Sequence, residues 1–323
     1  MQTLDEIQCR LAPELREMNE LIARYLATPN RLMNDIVSNY LRTKGKQIRP
    51  IMVLLSARMF GGVNEHALHA GAALEMLHNA SLIHDDIVDE TRLRRGVETI
   101  NARWGNHLAV LVGDFFVSNA LAAGIRTGRI SIIAALSDLG KELSLGEVDQ
   151  ICNARSNEFV EEDYIEMIRK KTASLFMNCV RMGAEAVDAP AAEVEPMVEY
   201  AGLLGLCFQI KDDIFDYYPN PQIGKPTGND LREHKVTLPL IHALNTAPDA
   251  GPWRELLREG RELTEDEILS LLAFARDNGG IDYAYARMRE MQREADRLIA
   301  PYPDSEWKQA FRDIFEFIIS RDR

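Results

Sequence analysis

Two acidic sequences of one form carry the chemistry this chain could do: Asp85-Asp86-Ile87-Val88-Asp89 and Asp212-Asp213-Ile214-Phe215-Asp216. Both lie in apolar sequence of helical character. On an α-helix, residues i and i+4 share a face, so Asp85 stacks on Asp89 and Asp212 on Asp216. Carboxylates stacked this way repel unless a cation lies between them. One copy alone could be a solvated helix edge. Two copies, each followed by basic residues, point to a shared cavity where hard divalent cations hold a phosphorylated substrate between two carboxylate walls. Mg²⁺ suits that role, because it is commonly held by one or two carboxylates plus substrate phosphates.

Basic residues are spaced around both copies. Lys46 and Arg49 lie in or beside a loop before Pro50. His78 sits two turns before Asp85 on the same helical face. Arg94 and Arg95 follow the first acidic sequence, and Lys171, Lys225 and Lys235 surround the second. Arginine grips phosphate with a planar fork, whereas lysine acts as a mobile point charge. Taken singly, each reads as a surface charge. Their spacing relative to the carboxylates gives them a second reading.

The elements that must position these groups are helical. Leu4 to Leu26 has helical periodicity, Thr28-Pro29-Asn30 breaks it, and a second helix reaches about Leu41. Thr43 to Gln47 reads as a loop, Pro50 opens the next helix and Gly61-Gly62 ends it. Asn64 caps a long helix that carries the first acidic sequence and ends near Arg94-Arg95-Gly96. Further helices run through Asp114, from about Ile130 to Asn153, from Asp163 to Gly183 and from Ala191 to Tyr217. Tyr218-Pro219-Asn220-Pro221 stops the last of these. A Gly/Pro/Asn-rich loop spans Pro219 to Asp230, and helices resume from Val236, with Pro239 near an N-terminus. Strand-like alternation is scarce, so the expectation is all-α, one domain over residues 1–323.

Composition agrees. The 323 residues are 46% hydrophobic but only 7% aromatic, with Ala, Leu, Ile and Met abundant, which favours helix over strand. A net charge of −13 argues against nucleic acid as a partner, since such proteins carry a basic face; an anionic substrate in a local basic pocket remains compatible. Cys9, Cys152, Cys179 and Cys207 have no metal-site spacing and read as reduced thiols. The first residues lack a signal peptide's basic and apolar regions, so a cytoplasmic location is expected. Leu108 to Ile125 is the nearest thing to a membrane span. Asp114 interrupts it, and the expectation is a helix buried in a protein core.

With these residues in view, the chain resembles the trans-isoprenyl diphosphate synthases. Gly45-Lys46-Gln47-Ile48-Arg49-Pro50, His84-Asp85-Asp86-Ile87-Val88-Asp89 and Arg94-Arg95-Gly96 look like the first half of that family. Gly113-Asp114, Gly146-Glu147, Lys171-Thr172 and Phe208-Gln209-Ile210-Lys211-Asp212-Asp213 match its middle. Gly224 to Leu231 and Lys235-Val236-Thr237-Leu238-Pro239-Leu240 match the second half, and Arg321-Asp322-Arg323 looks like a family ending. Gln47 departs where the family usually has a basic residue, and His234 where glycine is common.

The resemblance implies an isoprenoid-synthase fold: a single large helical bundle around a central deep cavity. It implies condensation of isopentenyl diphosphate with an allylic diphosphate, and a homodimer that makes transient membrane contact to release product. Asp85, Asp89 and Asp212 are expected to ligate Mg²⁺, about three ions per site with substrate bound. Asp86, Asp213 and Asp216 would support them directly or through water. Arg94, Lys171, Lys225 and Lys235 are expected at the allylic diphosphate, and Lys46, Arg49, His78 and Arg95 at isopentenyl diphosphate. Thr172 and Gln209 would offer oxygen dipoles to an allylic cation, with Phe208 beside the isopentenyl group. His84 reads as a packing histidine rather than a base. A class I terpene cyclase and a non-catalytic partner subunit are the remoter readings.

Product length is read from the turns before Asp85. Helix pitch is about 5.4 Å and an isoprene unit about 5 Å, so each turn measures roughly one unit. Ala80 and Ser81 are small and leave the first floor open. Met76 and Leu77 are bulky but movable, and Ala70-Gly71-Ala72-Ala73 is small again. The expectation is a hexaprenyl to decaprenyl product, octaprenyl the best single choice, suited to a quinone side chain. Geranylgeranyl or farnesyl synthesis is the rival.

Overall fold

Pro13 divides what the sequence predicts as one helix from Leu4 to Leu26. Helix α1 spans Leu4–Arg10 and α2 spans Ala12–Tyr25, with Pro13 in the first turn of α2. There its missing N–H costs nothing, whereas inside a continuous helix it would lose a bond and clash with the preceding turn. The computed structural model describes residues 3–42, 45–94, 96–156, 158–218 and 227–321. Arg95 and Lys225 therefore lie outside the described residues.

Asn30 caps α3 (Arg31–Leu41), and Asn64 caps α5 (Glu65–Val88); each side chain accepts a backbone N–H three residues on. Between them α4 (Ile48–Phe60) follows Gln47, whose φ is 52°. Helix α5 ends earlier than the sequence suggests. Asp89 is its C-cap, and Glu90 turns the chain with φ 49°. Arg94 thus lies not on a helix but in a two-residue strand, β1 (Leu93–Arg94), paired antiparallel with β2 (Val97–Glu98). Helices α6 (Ile100–Trp104), α7 (Asn106–Arg126) and α8 (Ile130–Ser156) follow.

The predicted helix from Asp163 to Gly183 is three pieces: α9 (Glu161–Ile168), a π turn (Arg169–Ala173) and α10 (Ser174–Glu185). The wide turn falls on Lys171 and Thr172, and such bulges concentrate at functional positions. Helix α11 (Ala191–Phe215) carries the second acidic sequence. The rest comprises α12 (Asn229–Arg232), α13 (Leu238–Thr246), α14 (Gly251–Arg258), α15 (Glu265–Asp277), α16 (Gly280–Ile299) and α17 (Glu306–Ser320). The all-α expectation holds.

Contacts gather into two compact units. One comprises Met1–Lys141, Leu175–Ala201 and Ile299–Ile314; the other comprises Glu142–Ser174, Gly202–Leu298 and Phe315–Arg323. In the first unit α5 packs on α2, α4 and α7. Ile51 to Leu55 of α4 are wholly buried, as expected of a helix apolar on every side. In the second unit α13 packs on α9, α14 and α15.

Helix α7 corrects one expectation. It is long and apolar enough to cross a membrane, but it is not simply a core helix. Val112, Phe116, Ala120 and Ala123 are buried, whereas Leu111 is 56% and Ile125 61% exposed. Val110 and Leu121 are exposed with them. The 3.6-residue period divides an apolar sequence into a face packed within its unit and an apolar face left open.

Candidate active site

The first acidic sequence sits at the C-terminal end of α5. Asp89 is the C-cap, and its N–H bonds the Asp85 carbonyl at 2.8 Å. Asp86 turns inward. Arg94 Nε donates to its Oδ1 at 2.8 Å and Nη2 lies 2.7 Å from the same oxygen. Burial opposes the Arg94 charge most strongly of any single influence, but the bond to Asp86, the charge on Asp86 and the nearby Tyr40 and Asp85 together outweigh it, and the pKa is raised. Asn101 Nδ2 donates to the Asp86 carbonyl at 3.0 Å and to the Thr91 carbonyl at 3.2 Å, tying down the turn after the helix. Asp86 therefore holds Arg94 in place, while Asp85 and Asp89 remain half-exposed.

His84 is a packing residue. A Cβ on Gly113 would lie 2.2 Å from its Nε2, so glycine is required for α7 to approach the ring. Asp114 Oδ1 lies 3.6 Å from the same nitrogen. Gly113 thus makes room for the histidine, whose Nε2 lies 3.4 Å from the Val110 carbonyl oxygen.

The second acidic sequence, in the other unit, gives its three aspartates different surroundings. Asp213 is buried. Tyr164 OH donates to its Oδ2 at 2.6 Å, and Gln209 Nε2 donates to its Oδ1 at 2.7 Å. Burial holds the Asp213 carboxyl above the usual carboxylate range, with those two bonds pulling it back down. Asp216 accepts the N–H groups of Asn229 at 3.0 Å and Asp230 at 2.9 Å, which closes the N-terminus of α12. Asp212 is the accessible one, its side chain 40% exposed. Arg321 Nη2 bonds its Oδ1 at 2.5 Å, and the guanidinium lies 4.4 Å over the Phe208 ring. Sequence reading gave Arg321 no role and missed Tyr164.

The basic and polar residues of this unit meet at a cavity of about 180 Å³, lined by Lys171, Thr172, Gln209, Asp213 and Lys235, with Phe159 and Ile241 among its apolar walls. Lys171 pairs with Glu147 and donates to Gln150 Oε1 at 3.0 Å. A Cβ on Gly146 would lie 2.9 Å from the Lys171 backbone nitrogen, so glycine there lets α8 reach the π turn. Thr172 Oγ1 donates to Gln209 Oε1 at 2.7 Å. Lys235 Nζ lies 2.5 Å from Glu233 Oε2. His234, just before it, has φ 58°, the left-handed conformation that glycine adopts without strain. The loop thus keeps a glycine-like backbone at a cost of about 1–2 kcal/mol.

In the first unit, Lys46 and Arg49 flank the start of α4. That helix has no acidic residue in its first turn and no side-chain cap bond. Unmasked N–H groups, the positive end of the macrodipole and two cations together favour an anion. The Arg49 guanidinium lies 5.6 Å from the Phe176 ring centre. Gln47, the departure from the family pattern, donates to Asn19 Oδ1 at 3.0 Å instead of adding charge. His78 is buried.

The structure separates the residues before Asp85. Ser81 and Leu77 are half-buried and share the i, i+4 stripe of Asp85; Ala80 and Met76 are fully buried.

Both acidic sequences end helices, where the macrodipole is negative. That is a poor place for carboxylates alone and a good one for a divalent cation. An all-carboxylate donor set suits Mg²⁺ rather than zinc. Among the described residues, no three His, Cys, Asp or Glu side chains converge to hold an ion unaided.

Comparison with known proteins extends these observations. The family model "Polyprenyl synthetase" matches residues 30–273. The octaprenyl diphosphate synthase of Haemophilus influenzae is 34% identical over 100% of this chain and 98% of its own. A decaprenyl diphosphate synthase from Rhodobacter capsulatus superposes with a TM-score of 0.93 at 30% identity, covering 99% of this chain and 100% of its own. A polyprenyl synthase from Caulobacter crescentus CB15, solved with calcium and isoprenyl diphosphate, also reaches 0.93, at 29% identity over 99% of this chain and 98% of its own.

Proposed function

This chain belongs to the polyprenyl synthetase family, and from that premise we propose that it extends an allylic diphosphate with isopentenyl diphosphate, head to tail, to a long-chain all-trans product, octaprenyl diphosphate. The allylic carbon–oxygen bond breaks to give a cation and diphosphate. The isopentenyl double bond attacks the cation, and the departing diphosphate takes the proton. Asp85, Asp89 and Asp212 would hold Mg²⁺, their partial shells completed by substrate oxygens. Bound Mg²⁺ supplies charge stabilisation to the leaving diphosphate. Lys171 and Lys235 share that load as preorganised cations, with Arg94 fixed by Asp86.

The carrying observation is a second anion setting at the start of α4, whose first turn carries no acidic residue. A cyclase ionises one diphosphate and has no use for it. Both acidic sequences are intact, which also disfavours a non-catalytic partner subunit. Arg49→Ala should raise KM for isopentenyl diphosphate by roughly tenfold or more, about 1.4 kcal/mol, with little change for the primer. Lys235→Ala should instead weaken primer use. Steady-state kinetics with each substrate varied distinguish the two, and equal effects on both substrates from both variants would remove the two-site reading.

The reading includes a homodimer working from the cytoplasm, with product passing to a lipid surface. The open face of α7 supports a second copy as its cover, since contiguous exposed apolar surface marks interaction sites. Leu111→Glu combined with Leu121→Glu should halve the mass seen by sedimentation. An unchanged mass would place the interface elsewhere.

A further inference from the structure

Resting on that reading, we propose that Tyr164 and Asp213 are positioning residues which fix the orientation of the Gln209 amide, so that the cavity wall presents oxygen to a cationic carbon. The direction of each hydrogen bond fixes the next. Tyr164 OH lies 2.6 Å from Asp213 Oδ2, Gln209 nitrogen 2.7 Å from Oδ1, and Thr172 hydroxyl 2.7 Å from Gln209 oxygen. A carboxylate only accepts, so both neighbours must donate to it. Gln209 therefore spends its NH₂ on Asp213 and turns its oxygen to Thr172. Thr172 has one proton and gives it to that oxygen. What remains at the cavity is lone pairs, on the threonine oxygen and on the amide carbonyl.

An unrestrained amide could flip and present N–H donors to the same space, which would repel a cation. The anchors against flipping are buried. Gln209 and Asp213 are i and i+4 on α11, and Tyr164 comes from α9. Tyr164 is 3% and Asp213 6% exposed. Without the phenol, one carboxylate oxygen loses its donor, and Asp213 can rotate away from Gln209.

The test is binding, not turnover. Two probes are used with the Mg²⁺-loaded protein: farnesyl thiolodiphosphate, whose chain is neutral, and an ammonium analogue of the allylic cation together with inorganic diphosphate. Tyr164→Phe should bind the ammonium analogue roughly tenfold more weakly while holding the thiolodiphosphate within about twofold. The thiolodiphosphate reports on folding in the same sample. In a Gln209→Met background, where no amide can flip, Tyr164→Phe should produce no further loss. Equal loss of both probes, no loss of either, or a loss that persists in the Gln209→Met background would each overturn the proposal. Wild-type protein that binds neither probe would overturn the functional reading and this inference with it.

Discussion

Asp85→Ala or Asp212→Ala should lower turnover by roughly a thousandfold, about 4 kcal/mol of lost transition-state stabilisation. The two variants should differ in stability. Asp85 is half-exposed at the C-terminal end of α5, where its charge opposes the macrodipole; removing it should leave the melting temperature unchanged or slightly raised. Asp212 is the partner of Arg321, whose side chain is only 7% exposed. Its loss leaves Arg321 Nη2 bonded to the Phe208 carbonyl at 3.0 Å but removes its charged acceptor, a cost of about 1–3 kcal/mol. Calorimetry beside single-turnover kinetics separates the effects. Near-normal turnover of either variant at saturating Mg²⁺ would remove the ligand assignment.

Ser81→Phe should shorten the product from the octaprenyl range to farnesyl or geranylgeranyl, with the first condensation intact. Ser81 is half-buried on the stripe of Leu77 and Asp85, so a ring there stands in the path of a chain growing away from the carboxylates. Ala80→Phe is a different experiment. Ala80 is 1% exposed, and a ring forced into that packing should cost about 1–3 kcal/mol besides any effect on length. Mass spectrometry of products from Ser81→Phe decides the matter; an unchanged distribution would mean that growth follows another wall.

Much of the site was legible because its signals are local. The i, i+4 aspartates, Lys46 and Arg49 beside Pro50, and Lys171-Thr172 are written in short stretches, and helical periodicity places them. What escaped depends on partners far apart in the chain. Tyr164 meets Asp213 across 49 residues, and Arg321 meets Asp212 across 109, with nothing nearby to announce either pairing. Helix ends were misjudged where a single residue acts on the backbone. Pro13 splits the first helix, and Glu90 with positive φ stops α5 before Arg94. The apolar run of α7 did not reveal its two faces, because both are apolar and periodicity has no contrast to report.

The sequence assigns Asp86, Asp213 and Asp216 one common task, support of the metal ligands Asp85, Asp89 and Asp212. Their surroundings differ: Asp86 fixes Arg94, Asp213 anchors Gln209, and Asp216 closes the start of α12. Identical residue types in a repeated pattern therefore carry different tasks, set by burial and by which donors reach them.

Incubating the purified protein with Mg²⁺, isopentenyl diphosphate and farnesyl diphosphate, and analysing the products by mass spectrometry, decides whether it is a long-chain synthase. The expected product is a ladder of all-trans polyprenyl diphosphates dominated by octaprenyl, abolished by chelation of Mg²⁺. A cyclised hydrocarbon, no condensation at all, or a product that never exceeds farnesyl length would contradict it.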